Sequence, residues 1–126
     1  MKTGKEKFKN EFRRRIFGYI IRLIRFVDSL GKNDSVCRIV GDQLIRSGTS
    51  FGANYVEAQA ASSKKNFIVF FHHCLKSCNE SLFWLEIFQS TKRGDSKERG
   101  YLLEELKETS AIFGSSLLTL KGRRNF

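Results

Sequence analysis

The sequence predicts an all-α fold, an up-down-up-down antiparallel four-helix bundle in a single domain spanning residues 1–126. Three observations carry that expectation. The 126 residues include no proline. Apolar residues recur at helical rather than strand spacing through four stretches, and short clusters of glycine, serine and aspartate separate those stretches. A chain of this length suits one core, and short connections between long helices make consecutive helices antiparallel.

Helix 1 is expected over about residues 5–30. Its core stripe is Phe8, Phe12, Ile16, Tyr19, Leu23, Val27 and Leu30, with Gly31 placed as its stop. Helix 2 follows over about 35–61, and either Asp34 or Ser35 can cap it. Ser62 and Ser63 then punctuate the chain and offer a cap to helix 3, expected over 63–91. That helix has the cleanest seam, Phe67, Phe71, Cys74, Cys78, Ser81, Leu85 and Phe88, in the alternating fours and threes of bundle packing. Lys92, Arg93 and Gly94 form a tight turn. Asp95 with Glu98 makes a capping-box-like start to helix 4, expected over 95–121. The stripe of helix 4 is Leu103, Leu106, Ser110, Phe113, Leu117 and Leu120, closed by Gly122. The ends before about Lys7 and after Lys121 are expected to fray.

Helix 2 carries an unusual file of polar residues. Val36, Val40, Leu44, Phe51 and Ala58 fall on one side at about 100° per residue. Gln43, Ser47, Ser50, Asn54 and Glu57 fall on that side or its margin. Burying such groups unpartnered costs about 1–3 kcal/mol each. These residues, with Arg46, therefore either bond one another and a neighbouring helix or face a second subunit. Secondary apolar stripes point to self-association: Phe17, Ile21 and Ile24 on helix 1, Val69, Phe83, Trp84 and Ile87 on helix 3, and Ile45 and Val56 on helix 2. Gly41, Gly48 and Gly52 accompany the last pair. A helical glycine costs about 1 kcal/mol relative to alanine, so three of them suggest that another helix approaches closely. A homo-oligomer is the expectation.

The formal charge is +10. Residues 1–25 hold nine Lys/Arg against two Asp/Glu, residues 121–126 add three positives, and residues 26–120 balance. In an up-down-up-down bundle both termini and the helix 2–3 turn share one end. That end would gather Lys5, Lys7, Lys9, Arg13, Arg14, Arg15, Lys64, Lys65, Lys121, Arg123 and Arg124 into a cationic pole. Such a surface draws polyanions with strong salt dependence. Arg14, Arg22 and Arg25 share a stripe of helix 1 able to track phosphates. The aromatic–basic interleaving that reads bases is missing from the sequence pattern.

Other classes find no support. No apolar run approaches the roughly 18 residues of a membrane span, and Arg22 and Arg25 interrupt the N-terminal apolar segment where a signal core would lie. The expectation is a cytosolic protein. Cys37, Cys74 and Cys78 are odd in number and sit in apolar helical context as small hydrophobes rather than disulfide staples. His72 and His73 project away from the sulfurs on opposite sides, so no zinc site forms within a protomer. Gly48-Thr49-Ser50-Phe51-Gly52 spells G-x-S-x-G, but a nucleophile elbow needs a strand and a partner histidine and acid. Glu57 and Glu80 lack the Glu-x-x-His pairs of di-iron bundles. The sequence predicts no catalytic residue, no metal and no cofactor.

The run Gln43-Leu44-Ile45-Arg46-Ser47-Gly48-Thr49-Ser50, continuing Gly52-Ala53-Asn54-Tyr55-Val56-Glu57-Ala58, resembles the signature of the small bacterial four helix bundle proteins. These are also called 23S ribosomal RNA intervening-sequence proteins. Ser62 to Phe67 is similar to that family's turn into helix 3, and Glu80 with Trp84-Leu85 to its later part. The resemblance covers nearly the whole chain and is most specific in helix 2. No proline lies between Leu30 and Ser35, where many members have one. The family shares its fold with the accessory variability determinant of diversity-generating retroelements, a pentameric barrel with a basic surface that binds nucleic acid and contacts a reverse transcriptase. The resemblance implies a homo-oligomer, a pentamer, acting through binding. Many members are encoded within insertions in ribosomal RNA genes.

Together these readings predict a non-catalytic accessory protein that binds RNA or DNA backbone through its basic pole, with a reverse transcriptase as a possible protein partner and no membrane. The phosphate contacts expected are Arg13, Arg14, Arg15, Arg22, Arg25, Lys64, Lys65, Arg123 and Arg124. Gln43, Arg46, Ser47, Ser50, Asn54 and Glu57 are expected to form the polar network at the packing seam or subunit interface. The alternative is a structural or protein-interaction oligomer whose charge is incidental.

Overall fold

The structure is a computed structural model and describes residues 3–122. Arg123 and Arg124 lie outside the described residues. Four helices account for nearly all of the rest: α1 (Gly4–Asp28), α2 (Ser35–Gln59), α3 (Lys64–Ser90) and α4 (Ser96–Leu120). Each begins at a short polar side chain that accepts from the unpaired amides of the first turn. Thr3 and Glu6 form a reciprocal capping box at α1. Asp34, not Ser35, accepts from the amides of Val36 and Cys37. Ser63 and Asp95 accept from Asn66 and Glu98. Glu98 does not return the bond as a capping box would, because its carboxylate is taken by Arg22 on α1.

Two helix ends fall two residues short of the sequence expectation: α2 closes at Gln59 rather than about residue 61, and α1 at Asp28 rather than Leu30. Gly31 does not stop α1. The Ser29 amide already shares the carbonyls of Arg25 and Phe26, and its hydroxyl donates to Phe26, so the helix closes two residues earlier. At the other turn, Lys92 sits in the left-handed region (φ 56°). Its amide bonds Gln89 while that of Arg93 bonds Phe88 at 2.9 Å, a Schellman closure. The buried Arg99 guanidinium then donates to the carbonyls of Arg93 and Gly94 at 2.7 and 3.0 Å, fixing the turn into α4.

Each helix packs on two others: α1 on α2 and α4, α3 on α2 and α4, with α2 and α3 in the most extensive contact. Residue numbers rise along one helix as they fall along its neighbour. Arg15 and Arg22 of α1 meet Glu105 and Glu98 of α4. Ser47 and Ser50 of α2 meet Ser81 and Ser77 of α3. The core runs through Leu23, Leu44, Phe51, Cys74, Cys78, Leu85, Phe88, Leu102, Leu106 and Phe113, all inaccessible to solvent. Phe8 is not among them. It is 54% exposed, and Phe26 takes a core place on α1 instead.

The glycines of α2 receive a helix of the same chain rather than a second subunit. A Cβ on Gly48 would lie 3.0 Å from Leu23 Cδ1, and one on Gly52 2.4 Å from Ile20 Cδ1. A Cβ on Gly41 would lie 3.1 Å from Val27 Cγ1. The physical reason is that α2 has two neighbours, so its buried arc is wider than the stripe facing α3 and includes the glycine row facing α1. Ile45 and Trp84 are likewise partly buried against the core. Phe17, Val56, Val69 and Phe83 are exposed, Phe17 at 66%. Among the described residues, no helix is long and apolar enough to cross a membrane.

Candidate nucleic-acid interface

Two groups of polar residues were singled out by the sequence, and the structure treats them differently. The file on α2 turns toward α3. Arg46 bonds the Gln43 side-chain carbonyl and forms an ion pair with Glu80, which also accepts from Trp84 Nε1 at 3.1 Å. Ser47 and Ser81 hydroxyls meet at 2.7 Å with no solvent access. Ser77 donates to Ser50, and the Asn54 amide donates to the Ser50 carbonyl at 2.9 Å and to its hydroxyl. Five of the six residues therefore bond one another or α3 inside the protomer. Glu57 is exposed and makes no side-chain hydrogen bond among the described residues. No buried side-chain nitrogen or oxygen among the described residues lacks a partner. Ser50, the serine of the G-x-S-x-G spelling, sits mid-helix, where its side-chain partners among the described residues are Ser77 and Asn54. His72 and His73 are exposed on α3. No cluster of three metal-ligating side chains occurs among the described residues.

The basic residues divide into engaged and open ones. Arg15 Nη2 lies 2.9 Å from Glu105 and 3.0 Å from Glu108. The hydrogen bonds to Glu105 foremost hold the Arg15 guanidinium well above its ordinary pKa and hold the Glu105 carboxyl below the usual carboxylate range. Arg22 grips Glu98 through two bonds of 2.9 and 2.6 Å, and its guanidinium carbon lies 3.4 Å from the centre of the Tyr101 ring. A charge already neutralised by a forked carboxylate contact has little left for a phosphate. Arg15 and Arg22 thus bind α1 to α4 and drop out of the candidate contact set. Arg25 is exposed but sits in the last turn of α1, roughly 24 Å along the helix from Lys9 at 1.5 Å per residue. It does not belong to the same patch.

A second set of open cations lies at the other end, while Arg25, Lys32, Lys76, Lys92 and Lys97 are exposed elsewhere on the surface. Lys5 and Lys9 of α1, Lys64 at the start of α3, and Thr119 and Leu120 at the end of α4 line one cleft of about 760 Å³. Its floor is aromatic: Phe8 and Phe12 from α1, Tyr55 from α2, and Phe67 and Phe71 from α3. The Tyr55 hydroxyl donates to the Lys9 carbonyl at 3.4 Å, tying the first turns of α1 to α2. Among the described residues, no carboxylate lines the cleft. Arg13 and Arg14 line a second groove of about 620 Å³ between α1 and α2, beside exposed Phe17 and Val56, and Tyr55 borders both. Lys65 and Lys121 are exposed nearby in sequence. Residues 3–15, 57–65 and 105–122, which meet at this end, carry ten lysines and arginines against five carboxylates. The remaining described segments carry ten against eight. The aromatic cleft was not foreseen. Its signal was Phe8 standing between Lys5, Lys7 and Lys9, which the stripe reading assigned wholly to the core.

Comparison with known proteins gives the lineage. The family model described as 23S rRNA-intervening sequence protein matches residues 19–115. The chain belongs to this family. Within the 23S rRNA-intervening sequence proteins its likeness extends to structure. A protein of unknown function from the S23 ribosomal protein family of Bacteroides thetaiotaomicron VPI-5482 superposes with a TM-score of 0.76 at 25% identity, covering 83% of this chain and 96% of that one. No curated protein matches. The family match begins at Tyr19, so the cation-rich first turns of α1 lie outside it.

Proposed function

We propose that this family member is a non-catalytic, cytoplasmic nucleic-acid-binding accessory, built as an up-down-up-down antiparallel bundle. It assembles as a homo-oligomer, a pentamer on the family resemblance, and grips RNA or DNA backbone with one cationic end. The observation that carries the reading is the convergence of Lys5, Lys9 and Lys64, from separate parts of the chain, on a cleft that no carboxylate of the described residues lines. Charge drawn together by folding raises the local potential where a scattered surface would not. Arg13, Arg14 and Lys65 extend the patch, and Arg123 and Arg124 follow α4 in sequence. Exposed Phe17 and Val56, which line one groove, and exposed Val69 and Phe83 on α3 support self-association, since exposed apolar surface seeks cover. A reverse transcriptase is the protein partner that the resemblance suggests.

The test is anisotropy of a labelled structured RNA with the parent and with an Arg13→Glu, Arg14→Glu, Lys65→Glu variant at about 50 and 200 mM salt, where each phosphate contact adds roughly 0.9 to the slope of log affinity against log salt on a duplex. The expected result is loss of binding with unchanged helicity. Binding that neither the variant nor salt affects would leave the structural-oligomer alternative. Sedimentation of the same samples reads the subunit number.

A further inference from the structure

We infer that the cleft at the cationic end seats an unpaired nucleobase of a single-stranded nucleic acid, stacked on Phe8, with flanking phosphates held by Lys5, Lys9 and Lys64. The inference rests on the nucleic-acid reading above and adds a preference for single strands over duplex. Phe8 is the outermost member of a file of rings that runs into the core. It stacks on Phe12 at 5.7 Å and 17°, and Phe12 meets Phe113 and the edge of Tyr55 at 5.6 and 5.2 Å. One face of Phe8 is thus supported by the protein while just over half of the residue stays in water. Across the cleft, Phe67 packs on Phe71 at 4.4 Å with the rings tilted by 30° and is only half-buried.

An exposed, backed ring beside lysines is the combination that single-strand binders use, because every base offers a π-face and every linkage a charge. The volume of about 760 Å³ lies within the range of ligand clefts and admits a nucleotide with part of its neighbour. Gln59 and Ser116 line it with side chains free of other hydrogen bonds among the described residues, available to a base edge. A paired base inside a helix buries both its faces and cannot reach Phe8. The three lysines are carried by two helices rather than gathered at one point, which suits successive phosphates of a strand better than the single head group of a fatty acid.

The test compares a labelled uridine dodecamer with a short RNA duplex by anisotropy, using the parent, Phe8→Ala and Phe8→Trp. Phe8 is exposed, so the variants should fold, and circular dichroism checks this. Phe8→Ala is expected to weaken dodecamer binding about 5- to 150-fold, the range of one lost base–aromatic stack, while duplex affinity changes less than about twofold. Phe8→Trp should restore the affinity, and its added indole emission should be quenched by the dodecamer. Lys64→Ala should lower the single-strand salt slope by about 0.7. Equal effects of Phe8→Ala on both ligands, with binding retained, would overturn the inference and leave the nucleic-acid reading standing. Absence of binding by either ligand would overturn both. Displacement of the dodecamer by oleate at equal strength in parent and Phe8→Ala would assign the cleft to an amphiphile and overturn the base-stacking inference.

Discussion

Replacing Gly94 by alanine should be among the most damaging single-methyl changes in this protein. Gly94 adopts φ +81°, and a Cβ there would lie 2.5 and 2.6 Å from Cζ and Cε1 of Phe26 and 3.1 Å from Leu30 Cδ2. Two costs add. An L side chain in the left-handed region costs about 1–2 kcal/mol, and an extra methyl pressed on an immobile core group costs about 1–3 kcal/mol. Phe26 cannot swing away, since it is 3% exposed and packs edge-on against Phe88 at 6.0 Å. Alanine returns about 0.4–1 kcal/mol by narrowing the unfolded ensemble, leaving a net loss of about 1–5 kcal/mol. For a chain of this size that lowers the melting temperature by roughly 3–20 °C. A double-mutant cycle by urea unfolding separates the costs. In a Phe26→Leu background the clash disappears, and Gly94→Ala should then cost only about 1 kcal/mol. An equal cost in both backgrounds would show that Phe26 is not the obstacle, and no cost in either would refute the assigned turn conformation.

Three further outcomes follow from the same structure. Ser47→Ala should cost about 1–3 kcal/mol in urea unfolding because it strands the Ser81 hydroxyl. Ser81→Ala should cost less, since Ser47 keeps the Leu44 carbonyl at 3.4 Å, and the double variant should be nearly neutral. Glu105→Gln should lose about 1–2 kcal/mol near neutral pH, where its charged bond to Arg15 is intact. The folded carboxyl titrates below its unfolded value, so this stability is present above about pH 4.3 and disappears as pH falls through the lowered folded value; parent and variant should converge in acid. Cys74 and Cys78 should resist iodoacetamide in the native protein and react once it is unfolded. Burial pushes the Cys74 thiol up to about 12 and the Cys78 thiol higher still, and only the thiolate reacts. Rapid native alkylation of either, read by mass spectrometry, would contradict the packing.

The four helices were legible in the chain because helix periodicity and caps are local properties. Asp34, Ser63 and Asp95 are short acceptors placed where amides go unpaired, and the α3 seam from Phe71 to Phe88 needs only the period of its own helix. What periodicity could not say was how many neighbours each helix has. The glycine row of α2 faces α1, Phe26 replaces Phe8 in the core, and both follow from a buried arc that spans two contacts. Charge behaved in the same way. Thirteen carboxylates and twenty-three cations can be counted from the sequence, but which pair with which depends on through-space distance. Arg15 and Arg22 find Glu105 and Glu98 some eighty residues away and are spent on holding α1 to α4. Lys5, Lys9 and Lys64 find each other around an aromatic cleft instead. Local order is written in neighbouring residues, whereas the location of unneutralised charge is settled only when distant segments meet.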